Sequence, residues 1–123
     1  MIRKVEGVEA ECLAGGKGKA TRYVILPKEE LDGLGRLYAR IVLQPGSSIG
    51  WHQHVNDTEP YYILKGEGDF YEGDRENGER RKTHVTAGDV CVINVGQWHA
   101  LENNSDSDIE IIALIYNKPG YLN

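Results

Sequence analysis

His52 and His54 are separated by a single residue, and they are followed by Glu59 and, 40 residues further on, by His99. In a β-strand successive side chains point to opposite faces, so positions i and i+2 share one face. His52 and His54 can therefore aim at one point in space without strain. Three imidazoles and one carboxylate form the ligand set of a mononuclear transition-metal site. Imidazole suits Fe, Ni, Cu and Zn, and the carboxylate keeps Mn in play. The chain has only four histidines, and three of them fall in this set.

Glycines frame both halves of the set. From Gly46 the chain runs five residues to His52, one to His54, four to Glu59 and six to Gly66. A second block has Gly88, Gly96, two residues, His99, three residues and Asn103, with 21 residues, Glu67 to Ala87, between the blocks. Together the blocks resemble the two signature motifs of the cupin superfamily, G(X)5HXH(X)3-4E(X)6G and G(X)5PXG(X)2H(X)3N. Every defined position matches except Asn94, where the family pattern has proline. Asparagine is itself a good turn residue, so the departure leaves the ligands untouched.

The resemblance implies an all-β fold, a single antiparallel β-barrel of jelly-roll type with the metal inside. It implies that His52, His54, Glu59 and His99 bind one divalent transition metal, Mn, Fe, Ni or Zn, and leave one or two positions for water, substrate or dioxygen. It implies no particular reaction, because the family contains decarboxylases, dioxygenases, isomerases, lyases, storage proteins and sensor domains. Oxalate decarboxylases of the family keep an arginine three residues before the first ligand histidine, where this chain has Ile49. Their double-barrel architecture is also missing, so no catalytic residue is assigned.

At 123 residues the chain reads as one domain. Residues 1–35 read as an N-terminal arm and first strand of the same domain, and 36–123 as the barrel. A hydrophobic fraction of 40% with 15 glycines fits many short strands joined by glycine turns. Net charge is −5 with no basic block, which argues against a nucleic-acid partner. No apolar run is long enough for a membrane span, and no signal-like stretch follows Met1, so a cytoplasmic protein is expected. Cys12 and Cys91 read as reduced thiols, Cys91 as a small buried hydrophobe.

Residues 1–19 end in Gly15-Gly16-Lys17-Gly18 and read as a flexible connector or an arm crossing to a second subunit. A homodimer is expected, since sheet edges tend to be covered or paired. Strands are expected at 21–26, 36–44, 49–54, 58–65, 69–71, 81–85, 90–93, 98–103 and 109–116, with 69–71 and 81–85 joined as a hairpin. Pro60 should make its strand an edge or bulge it beside Glu59, because proline removes a ladder donor. One helical turn is expected at 28–31.

Two further residues are candidates for binding substrate. Tyr61 lies two beyond Glu59 and so faces the metal, as cavity wall or as a hydroxyl that orients a ligand. Arg40 could grip a carboxylate through its guanidinium, although its parity is opposite to Ile41 and Leu43. Gln97 and Asn103 share the parity of His99, with Asn103 read as structural. His84, Trp51 and Trp98 read as surface, core or interface residues. The expected function is a metal-dependent enzyme of oxidoreductase, dioxygenase or decarboxylase type acting on a small oxygen-rich molecule such as a carboxylate. The alternative is a non-catalytic metal-binding sensor or carrier.

Overall fold

The structure, a computed structural model, describes residues 1–120. The last three residues of the 36–123 segment lie outside the described residues. Two antiparallel sheets face each other. The larger is built from β1 (Val8–Glu11), β2 (Lys19–Leu26), β3 (Gly35–Leu43), β5 (Asp57–Thr58), β6 (Tyr61–Lys65), β9 (Val90–Cys91) and β11 (Ile109–Asn117). Its order is β1-β2-β3-β11-β6-β9, with β5 also on β11. The smaller sheet has β4 (Ser48–Gln53), β7 (Glu67–Gly73), β8 (Arg81–Thr86) and β10 (Trp98–Glu102), in the order β4-β10-β7-β8. The all-β, antiparallel expectation holds; among the described residues no ladder joins the two sheets, so the strand pairing gives two facing layers and does not by itself close a single barrel.

Period-two alternation builds the core. Ala39, Ile41 and Leu43 of β3 and Ile109, Ile111 and Ala113 of β11 are buried against the smaller sheet. The opposite face of the larger sheet carries the Arg40–Glu110 pair and, beside it, an uncovered apolar stretch. There Tyr38 pairs with Leu114, Ile112 with Tyr62, and Tyr62 with Val90. Tyr62 and Val90 are exposed, as are nearby Leu64 and Val92. None of the short 3-10 turns, such as Leu13–Gly15 and Lys28–Leu31, is long or apolar enough to cross a membrane.

Proline disturbs one strand more than expected, and the expected hairpin forms. The strand anticipated over 58–65 is interrupted at Glu59-Pro60, leaving β5 and β6 as separate pieces. The long hairpin between β7 and β8 pairs Asp69 with His84 and Tyr71 with Lys82. The N-terminal segment differs from expectation. Residues 8–11 fold back on β2 of the same chain, and the Leu13–Gly15 turn packs on β4. The glycines there serve close approach. A Cβ on Gly16 would collide with the Ser48 carbonyl, and one on Gly50 with the Ala14 carbonyl.

Asn103 ties the loops at one end. Its Nδ2 donates to the Leu43 carbonyl at 2.9 Å and the Ser107 carbonyl at 2.8 Å, and its Oδ1 accepts from the Ser105 backbone and hydroxyl. Its backbone bonds to Gly46 and Ser47. Asn103→Ala strands these buried groups and should destabilise the fold by about 2–3 kcal/mol, measured by urea denaturation, with little effect on the metal-ligand cluster.

Candidate metal centre

His52 and His99 are directly opposite each other across the β4–β10 ladder, so they share a face by register as well as by alternation. His54 lies just beyond the end of β4. Its backbone N–H donates to the Gln97 carbonyl at 3.1 Å, and its carbonyl accepts from Gly96. Glu59 arrives from the other sheet, at the break between β5 and β6. The break follows from Pro60, which lacks the N–H a continuous strand would need. Asn94, in the motif's proline position, opens a turn whose Gln97 side chain accepts from the Asn94 N–H at 2.8 Å. Gln97 also donates to Asp74 and so takes no part in the cluster.

The four donors converge. His54 Nε2 is 3.2 Å from His52 Nε2, 3.1 Å from His99 Nε2 and 3.1 Å from Glu59 Oε1. His99 Nε2 is 3.1 Å from His52 Nε2 and 3.2 Å from Glu59 Oε1, while His52 and Glu59 are 3.8 Å apart. His54, Glu59 and His99 are buried and His52 is half-buried. Three imidazole nitrogens this close cannot all be satisfied by bonding to one another, because each contact needs one donor and one acceptor. A cation with metal–nitrogen bonds of about 2.0–2.1 Å accounts for such spacings, so the residues present fit a metal ion.

The far sides of the rings fix their orientation. His52 Nδ1–H donates to the Gly50 carbonyl at 2.6 Å, and His54 Nδ1–H donates to Asp57 Oδ1 at 2.6 Å. Asp57 is held in turn by Arg36, whose Nε donates to Oδ2 at 2.9 Å. These bonds leave both Nε2 lone pairs for a metal, as ligating histidines commonly require. His99 Nδ1 is buried with no partner among the described residues. Packing positions that ring instead, with Tyr61 stacked at 4.9 Å between centroids and Phe70 edge-on at 5.8 Å.

Burial alone would raise the Glu59 pKa, but hydrogen bonds with His52, His54 and His99 hold its carboxyl well below the usual carboxylate range. Burial would lower that of His54, yet bonds to Glu59 and Asp57 and their charges prevail and raise it. Burial lowers His99, against the attraction of Glu59. The Tyr61 phenol is pushed well above its ordinary value by burial and by the Glu59 charge, so it stays protonated.

A cavity of about 170 Å³ opens beside His52, His54, Glu59 and Tyr61. Apolar side chains including Leu37, Ile41, Ile49 and Ile115 line the rest of it, together with Leu13 and Ala14 of the N-terminal turn and two arginines, Arg22 and Arg36. Tyr61 is thus at the cavity, with its hydroxyl 3.4 Å from His99 Nε2. Arg40 is elsewhere. It sits on the outer face of the larger sheet, bonded to Glu110 at 2.7 Å and stacked over Tyr23. The outward parity of β3 explains this, since inward positions belong to Ala39 and Ile41.

Arg22, Arg36 and Asp57 were not anticipated. Asp57 had a signal, being three residues beyond a ligand histidine inside the first motif. Arg22 had none, because β2 carries apolar residues on both faces. Trp51 and Trp98 stack on each other at 6.0 Å and do not line the cavity. His84 is an exposed residue paired with Asp69 and Glu67. Cys91 is buried and its thiol is pushed up to about 12, whereas Cys12 is exposed.

The sequence model of the cupin domain matches residues 39–115. An oxalate-binding protein of Thermotoga maritima is 42% identical over 103 residues, which is 84% of this chain and 80% of that protein. A crystal structure of a predicted oxalate decarboxylase from Thermotoga maritima superposes with a TM-score of 0.84 at 37% identity, covering 94% of this chain and 95% of that one. The cupin domain of Drosophila melanogaster CENP-C shares the fold at a TM-score of 0.65 and 13% identity, covering 89% of this chain and 70% of that one. The motif residues, the domain match and these relatives agree, and the chain belongs to the cupin family.

Proposed function

We propose that this cupin holds one transition metal on His52, His54, Glu59 and His99 and takes up a small carboxylate, of the size of oxalate, in the cavity beside it. The observation that carries this reading is the pattern of donor separations. Five of the six lie at 3.1–3.2 Å and one, His52 to Glu59, at 3.8 Å. A regular tetrahedron would make all six equal, as in closed structural zinc sites. One long edge opens the set away from a tetrahedron and towards four donors of an octahedron with two neighbouring corners left over, for which the long edge would be about 1.4 times the short ones against the 3.8 Å seen. A chelating carboxylate ligand suits two neighbouring positions. The 42% identical relative called an oxalate-binding protein supports the same ligand class.

A bound metal would supply the positive charge that attracts carboxylate oxygens. The chain's own residues do the rest. Glu59 stays ionised, Asp57 and Gly50 fix the ring tautomers, and Ile41, Ile49 and Ile115 keep water from the cavity wall. The protonated Tyr61 phenol offers one hydrogen-bond donor to a ligand.

A second reading keeps turnover, of oxidoreductase, dioxygenase or decarboxylase type. Tyr61 favours it, being a proton-bearing group at the cavity. The binding reading needs less, because outside the ligand set the lining has no other carboxylate or imidazole to move a proton. Incubating the metal-loaded protein with oxalate separates them. Formate and carbon dioxide appearing at a rate that drops in Tyr61→Phe would establish the enzyme.

Elemental analysis of protein made in metal-supplemented medium should find one transition-metal ion per chain, lost in His52→Ala and His99→Ala. Chelation should lower the melting temperature, because a ligand held by the native state alone stabilises it. Metal affinity should fall as pH drops below neutrality. His54 holds its proton to a higher pH than an ordinary imidazole, and that proton competes with the metal. Glu59, held low, remains ionised through the same range and adds nothing to the loss.

The exposed apolar face across β3, β11, β6 and β9 supports a homodimer formed through the larger sheets. Light scattering should give twice 13.7 kDa. A monomer at micromolar concentration would rule the dimer out.

A further inference from the structure

We propose that Arg22 is the specificity-determining residue of the metal cavity, and that it selects a short dianion by pairing with the carboxylate oxygens turned away from the metal. This rests on the metal and carboxylate reading above and names its substrate class more narrowly, as a dicarboxylate of two to four carbons.

Register fixes where Arg22 points. It pairs with Ile41 across β2–β3, and paired residues of adjacent strands project to the same face. Ile41 is in the core, so Arg22 faces the space between the sheets, and it lines the cavity with His52, His54, Glu59 and Tyr61. A half-buried guanidinium on the inner face of a sheet loses hydration that an apolar residue would not. Among the described residues its side chain forms no ion pair and no hydrogen bond, so nothing in the described fold offsets that loss.

The other arginine of the cavity is differently placed. Arg36 is engaged by Asp57, which holds His54, so it is part of the support for a metal ligand. Arg22 alone of the two is free to meet a ligand, and guanidinium pairs with carboxylate through two parallel N–H bonds.

Charge says which ligand. With neutral imidazoles, a divalent metal and ionised Glu59 sum to +1. The Arg36–Asp57 pair is neutral, and Arg22 brings the cavity to +2. A dianion balances it, whereas a monocarboxylate leaves one charge uncompensated in a mostly apolar space. Size sets the upper bound. A cavity of about 170 Å³ is on the order of five or six water volumes, which admits a molecule of a few heavy atoms. The Leu13–Gly15 turn closes one wall, and the backbone contact at Gly16 and Gly50 prevents it from drawing back into β4.

The test uses the full chain loaded with Mn or Zn and titrated calorimetrically with oxalate, malonate and, as a monoanion, acetate. The wild type should bind the dianions well ahead of acetate. Arg22→Gln should keep one metal per chain and a wild-type melting temperature. It should bind oxalate about tenfold to a hundredfold more weakly and leave acetate within about twofold. Arg22→Lys, which keeps charge but not the two-pronged geometry, should fall between. Oxalate affinity unchanged in both variants, with metal fully bound, overturns the role of Arg22 and spares the carboxylate reading. Wild-type protein that binds metal but no dianion overturns both. Arg36→Gln serves as the contrast, since it should weaken metal binding through Asp57 and His54.

Discussion

The structure depends on a convergence of donors from two sheets that share no ladder. His52, His54 and His99 belong to the smaller sheet and its end, Glu59 to a break in the larger, and their ligating atoms meet within 3.1–3.8 Å. Hydrophobic burial presses the sheets together without direction, and it tolerates small sliding of one layer over the other. The donor cluster does not, because metal–ligand bonds hold fixed lengths. A cation at this point would act as a rivet between layers. The supporting bonds follow from that need. Asp57 of β5 orients His54 and is itself braced by Arg36 from β3, so two strands and a loop contribute to aiming one ring.

The ligands were legible in the sequence because each rests on a short-range rule. Alternation places His52 beside His54, proline breaks the strand at Glu59, and glycine turns bring β10 back so that His99 meets His52. The same rules recovered the hairpin of β7 and β8 and the inward face of β3. They failed where position depends on what packs against an element. Parity within β3 already turns Arg40 outward, whereas only the pairing of β2 with β3 reveals that Arg22 faces in. In β2 apolar residues run unbroken from Tyr23 to Leu26, and a bulge between Val24 and Leu26 resets the alternation, so no apolar stripe marks the buried side.

The glycine-rich N-terminal segment shows a related ambiguity. Glycine serves flexibility, positive φ and close backbone approach alike, and sequence does not say which. Here Gly15 and Gly18 take positive φ at 76° and 70°, while Gly16 lies against β4. The segment is a cavity wall in its own chain. The separation into one barrel or two layers was equally hidden, since closure depends on pairing between strands far apart in sequence.

These observations divide the site into two parts with different sequence origins. The four-donor cluster that could hold a metal comes entirely from the two motifs. The cavity wall draws only partly on them: Ile49 and Tyr61 lie within the first motif, while Leu13, Ala14, Arg22, Arg36 and Leu37 precede the matched domain at 39–115. That division has a physical basis. Metal coordination tolerates little variation in donor identity or distance, whereas a cavity wall can change in size and charge without disturbing the cluster. A fold that keeps the first half constant can therefore change what it binds by altering β1, the turn and β2. In this chain those elements place Leu13, Ala14 and the cationic Arg22 at the cavity.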